Sequence, residues 1–193
     1  SKDREAVIVG AARTAIGKFN GTLSASPAPQ LGAAAIRAAH AAGQDCFGEN
    51  YVQEALDKAR ELTGLGLEWH YIGRIQGNKT AAIASHFSWV HCLSEARHAR
   101  RLSQQRPPDL PPLKLCLQVN ISDEASKGGL APQEVGELAA LVRELPRLEL
   151  CGLMAIPAPV QGLEAQRRAF AELRRLRDRL ARPGLPLATL SMG

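Results

Sequence analysis

Short apolar runs alternate with stretches of helical periodicity along most of the chain. Apolar runs of four to eight residues bounded by turn residues read as buried strands, and apolar positions three and four apart read as one face of a helix. On that basis strands are expected at residues 5–12, 46–48, 69–75, 89–93, 113–121 and 148–156, with a further one beginning at 187–191. Helices are expected over 31–42 (ended by Gly43), 51–62, 95–105 and 161–182, around 79–86, and from about 132 to 145. Pro132 suits a first helical turn. Residues 15–30 read as a loop, because Gly17, Gly21, Pro27 and Pro29 interrupt any regular element. Pro107, Pro108, Pro111 and Pro112 form a rigid linker. A repeating β-α order is the pattern of a parallel sheet, either a β/α barrel or a doubly wound sheet.

Length sharpens this. A chain of 193 residues fits one domain or two small ones, whereas a closed eight-unit barrel usually takes about 200–250 residues. After the strand that begins at 187, no residues remain for an eighth. The composition, 45% hydrophobic and 22% charged, is that of an ordinary globular protein. No apolar run approaches the roughly 20 residues of a membrane span, and the first residues carry no secretory pattern. A cytoplasmic location without membrane contact is the expectation.

The formal net charge is +5. Much of the excess lies in Arg167, Arg168, Arg174, Arg175, Arg177, Arg179 and Arg182. A basic helix can meet phosphates, but Glu164, Glu172 and Asp178 are interleaved, and no aromatic platform or Gly-rich basic loop accompanies the charge. The pattern favours a solvated helix face over a nucleic-acid surface, with Ala169, Phe170, Leu173, Leu176 and Leu180 as the buried stripe. Cys46, Cys92, Cys116 and Cys151 form no C-x-x-C pair, so reduced, buried thiols are expected. His91-Cys92 is the one local His/Cys pairing, too little for a zinc site.

More specific stretches follow: AIRAAHAAGQ (35–44), FGENYVQEALDKARE (47–61), LEWHYIGRIQGNKT (67–80), LCLQVNISDEASKGG (115–129), LCGLMAIPAP (150–159) and TLSMG (189–193). Through them the chain, from about residue 35 to 193, resembles the pyridoxal phosphate homeostasis protein family. The resemblance implies an α/β fold, the (β/α)8 TIM-type barrel of the alanine racemase N-terminal kind. Residues 1–34, with REAVIVGAARTAIGKFNGTL, resemble instead the extreme N-terminus of a thiolase (acetyl-CoA acetyltransferase). The chain thus reads as a chimera: a thiolase-like segment over 1–34 and a truncated barrel domain over 35–193. In it the barrel's first strand is replaced and its last is missing.

The resemblance implies a protein that binds pyridoxal 5'-phosphate as a small-molecule partner, without a defined turnover reaction; a monomer is the expectation. Binding that cofactor takes a Schiff-base lysine, donors for the phosphate and a group facing the pyridine nitrogen. The family's lysine-bearing first strand has no counterpart here. If residues 6–12 take its place, Arg13 falls where the lysine belongs, and a guanidinium does not condense with an aldehyde. Lys18, in the loop, is the remaining candidate, with a solvated loop lysine as the plainer reading. Impaired cofactor binding is therefore expected; the alternatives are an acetyl-CoA acetyltransferase by its N-terminus only and an inert fusion.

Five residues match family positions at the cofactor. Asn50, at a strand-to-helix turn, either caps the helix or bonds a ligand. His70 is either a site residue near the barrel mouth or a core histidine bonded to backbone. Met154 matches an apolar position under the ring, and Ser191 and Gly193 match the start of the phosphate-binding turn. Gly73, Gln76, Asn78 and Lys79 fit the family's Gly-x-x-Gln-x-Asn-Lys signature.

Overall fold

The computed structural model describes residues 27–122 and 128–192. The expected strand at 5–12, the loop before Pro27, Arg13, Lys18, Lys127 and Gly193 lie outside the described residues. The chain divides into two compact units, one comprising Ser1–Phe47 and Gln53–Glu68, the other Gly48–Val52 and Trp69–Gly193.

In the first unit, α1 (Ala28–Ala41) starts three residues earlier than the pattern predicts. Pro27 and Pro29 open this helix rather than break it. The first backbone N–H groups of a helix have no partner inside it, so a proline there forfeits nothing. The helix runs unbroken across residue 34 and ends at Gly43, whose φ of +94° suits the left-handed turn that follows. Arg37 reaches Glu61 of α2 (Val52–Glu61) at 3.1 Å.

The second unit carries the sheet except for Cys46, Phe47 and Glu68, which fall in the first. Its strand order is β1-β2-β3-β4-β5-β6, with β1 spanning Cys46–Glu49, β2 Glu68–Tyr71, β3 Trp89–Leu93, β4 Leu113–Gln118, β5 Leu148–Ala155 and β6 Thr189–Met192. Glu49 O accepts the Ile72 N–H, tying β1 to the chain leaving β2, and the pairs from β2 to β6 are parallel. The helices between them are α3 (Thr80–His86, after a single 3-10 turn), α4 (Ala96–Gln105), α5 (Val135–Glu144) and α6 (Leu163–Leu180). Strands taken in sequence order, each followed by a helix, are the arrangement of a β/α barrel. The described strands number six.

Strand β4 shows why the sequence folds this way. Leu113, Leu115 and Leu117 are fully buried, together with Ile83 of α3, Leu102 of α4 and Val135 and Val142 of α5. Burying one such side chain contributes about 1.5–3 kcal/mol. The alternate residues Lys114 and Gln118 point to the other face and are half-buried. Several strands end sooner than their apolar runs. β2 stops at Tyr71 rather than residue 75, because the Tyr71 hydroxyl donates to the carbonyl of Arg74 and turns the chain. β4 stops at Gln118 rather than 121, and Pro132 precedes α5 rather than entering it. The proline linker is fixed by Arg106, 4% exposed, whose guanidinium donates to the carbonyls of Ala84, Phe87 and Pro111 at 2.7–2.9 Å.

On α6, Leu173 and Leu176 are buried, and Arg167, Arg174 and Arg177 pair with Glu164 or Asp178. This is the solvated face the sequence suggested. Cys46 departs from the expected burial: it opens β1 with its side chain exposed. Among the described residues no helix is long and apolar enough to cross a membrane.

Strands β5 and β6 approach so closely at Gly152 that a Cβ there would lie 1.9 Å from the backbone carbonyl oxygen of Thr189, its register partner. Backbone cannot swing aside as a side chain can. Gly152→Ala should therefore destabilise the fold by about 2–3 kcal/mol, read as a lower urea midpoint. Gly162→Ala at the exposed start of α6, where nothing lies within 4 Å, should cost less, its penalty coming from φ alone.

Candidate functional site

The carboxyl ends of β2 to β5 and the loops beyond them enclose a cleft of about 430 Å³. Ligands of parallel α/β sheets bind at this end of the strands, because the loops that vary without disturbing the core lie there. Ile72, Ile75, Met154 and Ile156 give the cleft its apolar lining. Arg74, Ser94, Glu95, His98 and Gln118 supply polar groups. Gln118 donates to the carbonyl of Gly128 at 2.9 Å, and Leu130 donates to the backbone carbonyl of Gln118. The segment from Gly128 thus folds back along β4 as part of the cleft wall. Gly129, at φ +132°, makes this return possible, since a Cβ would meet Asn120 N at 2.8 Å.

His98 is buried, 5% exposed, in the first turn of α4, with Glu95 Oε1 3.7 Å from its Nδ1. Burial lowers its pKa; Glu95 opposes that shift, and Arg97, Arg101 and Arg74 reinforce it. Burial disfavours the thiolate at the three more buried cysteines. Burial raises Cys92 and Cys116 to about 12 and Cys151 to about 11, so each stays a thiol. The Cys92 Sγ–H donates to the carbonyl of Gly73.

One face of the sheet carries a polar chain. His70 Nδ1 lies 2.9 Å from His91 Nε2, and His91 Nδ1 lies 2.7 Å from Ser191 Oγ. Trp89 stacks on His70, with ring centroids 5.4 Å apart and planes 10° apart. Lys114 Nζ sits 5.2 Å above the Trp89 ring. Burial, with the neighbouring His70 adding to it, lowers the His91 pKa to about 4, so its ring is uncharged near neutrality.

The structure brings together three of the five residues singled out from sequence. Met154 lines the cleft and is the register partner of Ser191, and Ser191 is joined through His91 to His70. His70 is thus bonded to a side chain rather than held only by backbone. Asn50 stands apart at the end of β1. It is exposed, and its carbonyl is so close to Gly73 that a Cβ there would lie 2.1 Å away. Gly193 lies outside the described residues. Arg74 and His98 are residues the sequence reading missed, and His91 it weighed only beside Cys92 as a zinc pairing. His91 did leave a signal: in Trp89-Val90-His91 the alternation places Trp89 and His91 on one face of β3, as Glu68 and His70 share one face of β2.

Parallel strands in sequence order, with a cleft at their carboxyl ends, define a β/α-barrel domain. A family model described as "Alanine racemase, N-terminal domain" matches residues 28–193. Pyridoxal phosphate homeostasis proteins of Pseudomonas aeruginosa and Vibrio cholerae are 58% and 50% identical to this chain over 161 and 163 residues. The matches cover 83% and 82% of this chain and 69% of each relative. The structure of Synechococcus elongatus PipY without PLP matches with a TM-score of 0.73 at 40% identity, covering 83% of this chain and 76% of that one. PipY with PLP bound matches at 0.71 and 38%, with the same coverage. Alanine racemase from Corynebacterium glutamicum, at 20% identity and a TM-score of 0.56, shares the fold. The chain belongs to the pyridoxal phosphate homeostasis protein family, which has the alanine racemase N-terminal fold. The residues that carry the thiolase resemblance fall mostly within 1–26, outside the described residues.

The His91 shift predicts a pH dependence of stability. The unfolded imidazole takes up its proton near pH 6.5 and the folded one near 4. Between these values the unfolded state binds more protons, so stability rises with pH. The contribution is complete above about 6.5 and is lost as pH falls towards 4. Urea unfolding at pH 5 and pH 7 should show a smaller difference for His91→Gln than for the wild type.

Proposed function

We propose that this protein binds pyridoxal 5'-phosphate in the cleft at the carboxyl ends of its strands and serves as a cofactor-homeostasis protein. The observation that carries the reading is the pairing of Met154, in the cleft wall, with Ser191 on the adjacent strand. It sets an apolar surface for a flat ring beside a hydroxyl for an anion. The cleft volume, about 430 Å³, lies in the range of small-molecule sites. Ile72, Ile75 and Ile156 would flank the ring, and Arg74 adds a cation at the rim. The family resemblance adds Asn50, His70 and Gly193.

The residues fit the group as a non-covalent ligand. When bound, pyridoxal phosphate supplies an aldehyde able to condense with an amine. Among the described residues no lysine lines the cleft, so no covalent step is assigned to this chain's groups. Met154 and the isoleucines exclude water from the ring, and Ser191 orients the phosphate. A monomer acting in the cytoplasm, with no nucleic-acid partner and no turnover reaction, completes the proposal.

Titration of the full chain with pyridoxal phosphate, followed by absorbance, should show saturable binding. Met154→Glu, which places a carboxylate against the ring and near the phosphate, should weaken binding at least about tenfold while the fold persists by circular dichroism. Borohydride reduction and mass spectrometry then locate any lysine adduct. Wild-type protein that shows no saturable binding would sink the proposal.

A further inference from the structure

We propose that His91 is a positioning residue for the cofactor phosphate: it relays hydrogen bonding from His70 to Ser191, so that the Ser191 hydroxyl donates to the anion. The inference rests on the reading of Ser191 as a phosphate contact.

A phosphate dianion is an acceptor only, so a serine that donates to it must point its single O–H outward. The Ser191–His91 contact at 2.7 Å must then be made by the His91 Nδ1–H, with Ser191 Oγ accepting. An uncharged imidazole has one N–H. With its proton on Nδ1, the Nε2 of His91 is bare, and the 2.9 Å contact there is made by His70 Nδ1–H. The proton positions along His70, His91 and Ser191 are therefore interlocked, and one orientation of the whole chain serves an anion. In the opposite orientation the Ser191 O–H donates to His91 Nδ1, His91 donates from Nε2 to His70, and the hydroxyl offers the anion only lone pairs.

Two features hold the chain in place. Trp89 stacks nearly parallel on His70, at 10° between planes, which limits rotation of that ring. Burial disfavours protonation of His91, and a doubly protonated His91 could not accept from His70. Among the described residues, His91 meets His70 from β2 and Ser191 from β6, with Trp89 on its own strand tilted at 43°. The relay spans β2, β3 and β6, so its members lie far apart in sequence but converge on one face of the sheet.

Long-range proton–nitrogen NMR of histidine-labelled full-length protein tests the proton positions, with pyridoxal phosphate as the added probe. The expected result is His91 protonated at Nδ1 and bare at Nε2 in the bound state. A bound His91 protonated at Nε2 overturns the relay. Affinities supply a second readout. His91→Phe should weaken pyridoxal phosphate at least about tenfold and leave pyridoxal, which lacks the phosphate, unchanged. His91→Asn, whose amide N–H can stand where Nδ1–H stood, should recover much of the loss. Equal losses for both ligands in His91→Phe, or no loss for either, also overturn the relay. Wild-type protein that binds no pyridoxal phosphate overturns the site reading and the relay together. Wild-type binding with the wrong protonation overturns the relay alone.

Discussion

Burial of alternate residues on β4 is the constraint from which the rest of the second unit follows. Leu113, Leu115 and Leu117 are fully buried, and a strand's side chains alternate strictly between its two faces. Once those three leucines face the helices, Lys114 and Gln118 have no choice but the opposite face. Neighbouring strands inherit the same division through their register. Val90 turns to the leucine side while Trp89 and His91 turn to the other. A one-residue slip would carry every leucine into the polar face and every polar group into the core, so the hydrophobic pattern fixes the polar face as firmly as it fixes the core.

The polar face offsets most of its own burial through pairing, the buried Trp89 Nε1 being without a hydrogen-bond partner. His91 bonds at both ring nitrogens, and Lys114 rests on the Trp89 ring. Arg106 does the same on the core side, its charge surrounded by three carbonyl oxygens. A buried polar group left unpaired costs far more than a paired one returns. Pairs of this kind therefore resist loss of either partner, and they keep side chains from distant strands in one arrangement.

Much of the fold was legible because it rests on local pattern. The run 89–93 became β3 with the same ends, and 148–156 became β5 one residue shorter. Mistakes arose where a side chain overrides a pattern. The Tyr71 hydroxyl ends β2 early, and Pro29 lies in a helix because its turn needs no N–H. The site was less legible. Met154, Ser191 and His70 could be named from the family motifs, but their connection runs through His91, which lies 100 positions from Ser191. Single-sequence patterns report what lies on one face of one strand; they do not report which strands face each other. His98 was hidden for another reason: at helical spacing it reads as one more polar residue in an arginine-rich helix, and only packing shows it is buried.

Each strand takes its place beside the one that precedes it in the chain, from β1 to β6. Every new strand therefore docks on an edge already built, and the loop it closes is a single helix with its connections. Closure entropy grows only slowly with loop length, so the cost of each addition is similar along the sheet. Growth can follow synthesis, one strand and helix at a time, without waiting for distant chain. The side-chain contact between β3 and β6 comes last in such an order. Ser191 can meet His91 only after all the strands between them are laid down, which makes the histidine–serine contact a record that assembly of the sheet has reached its sixth strand.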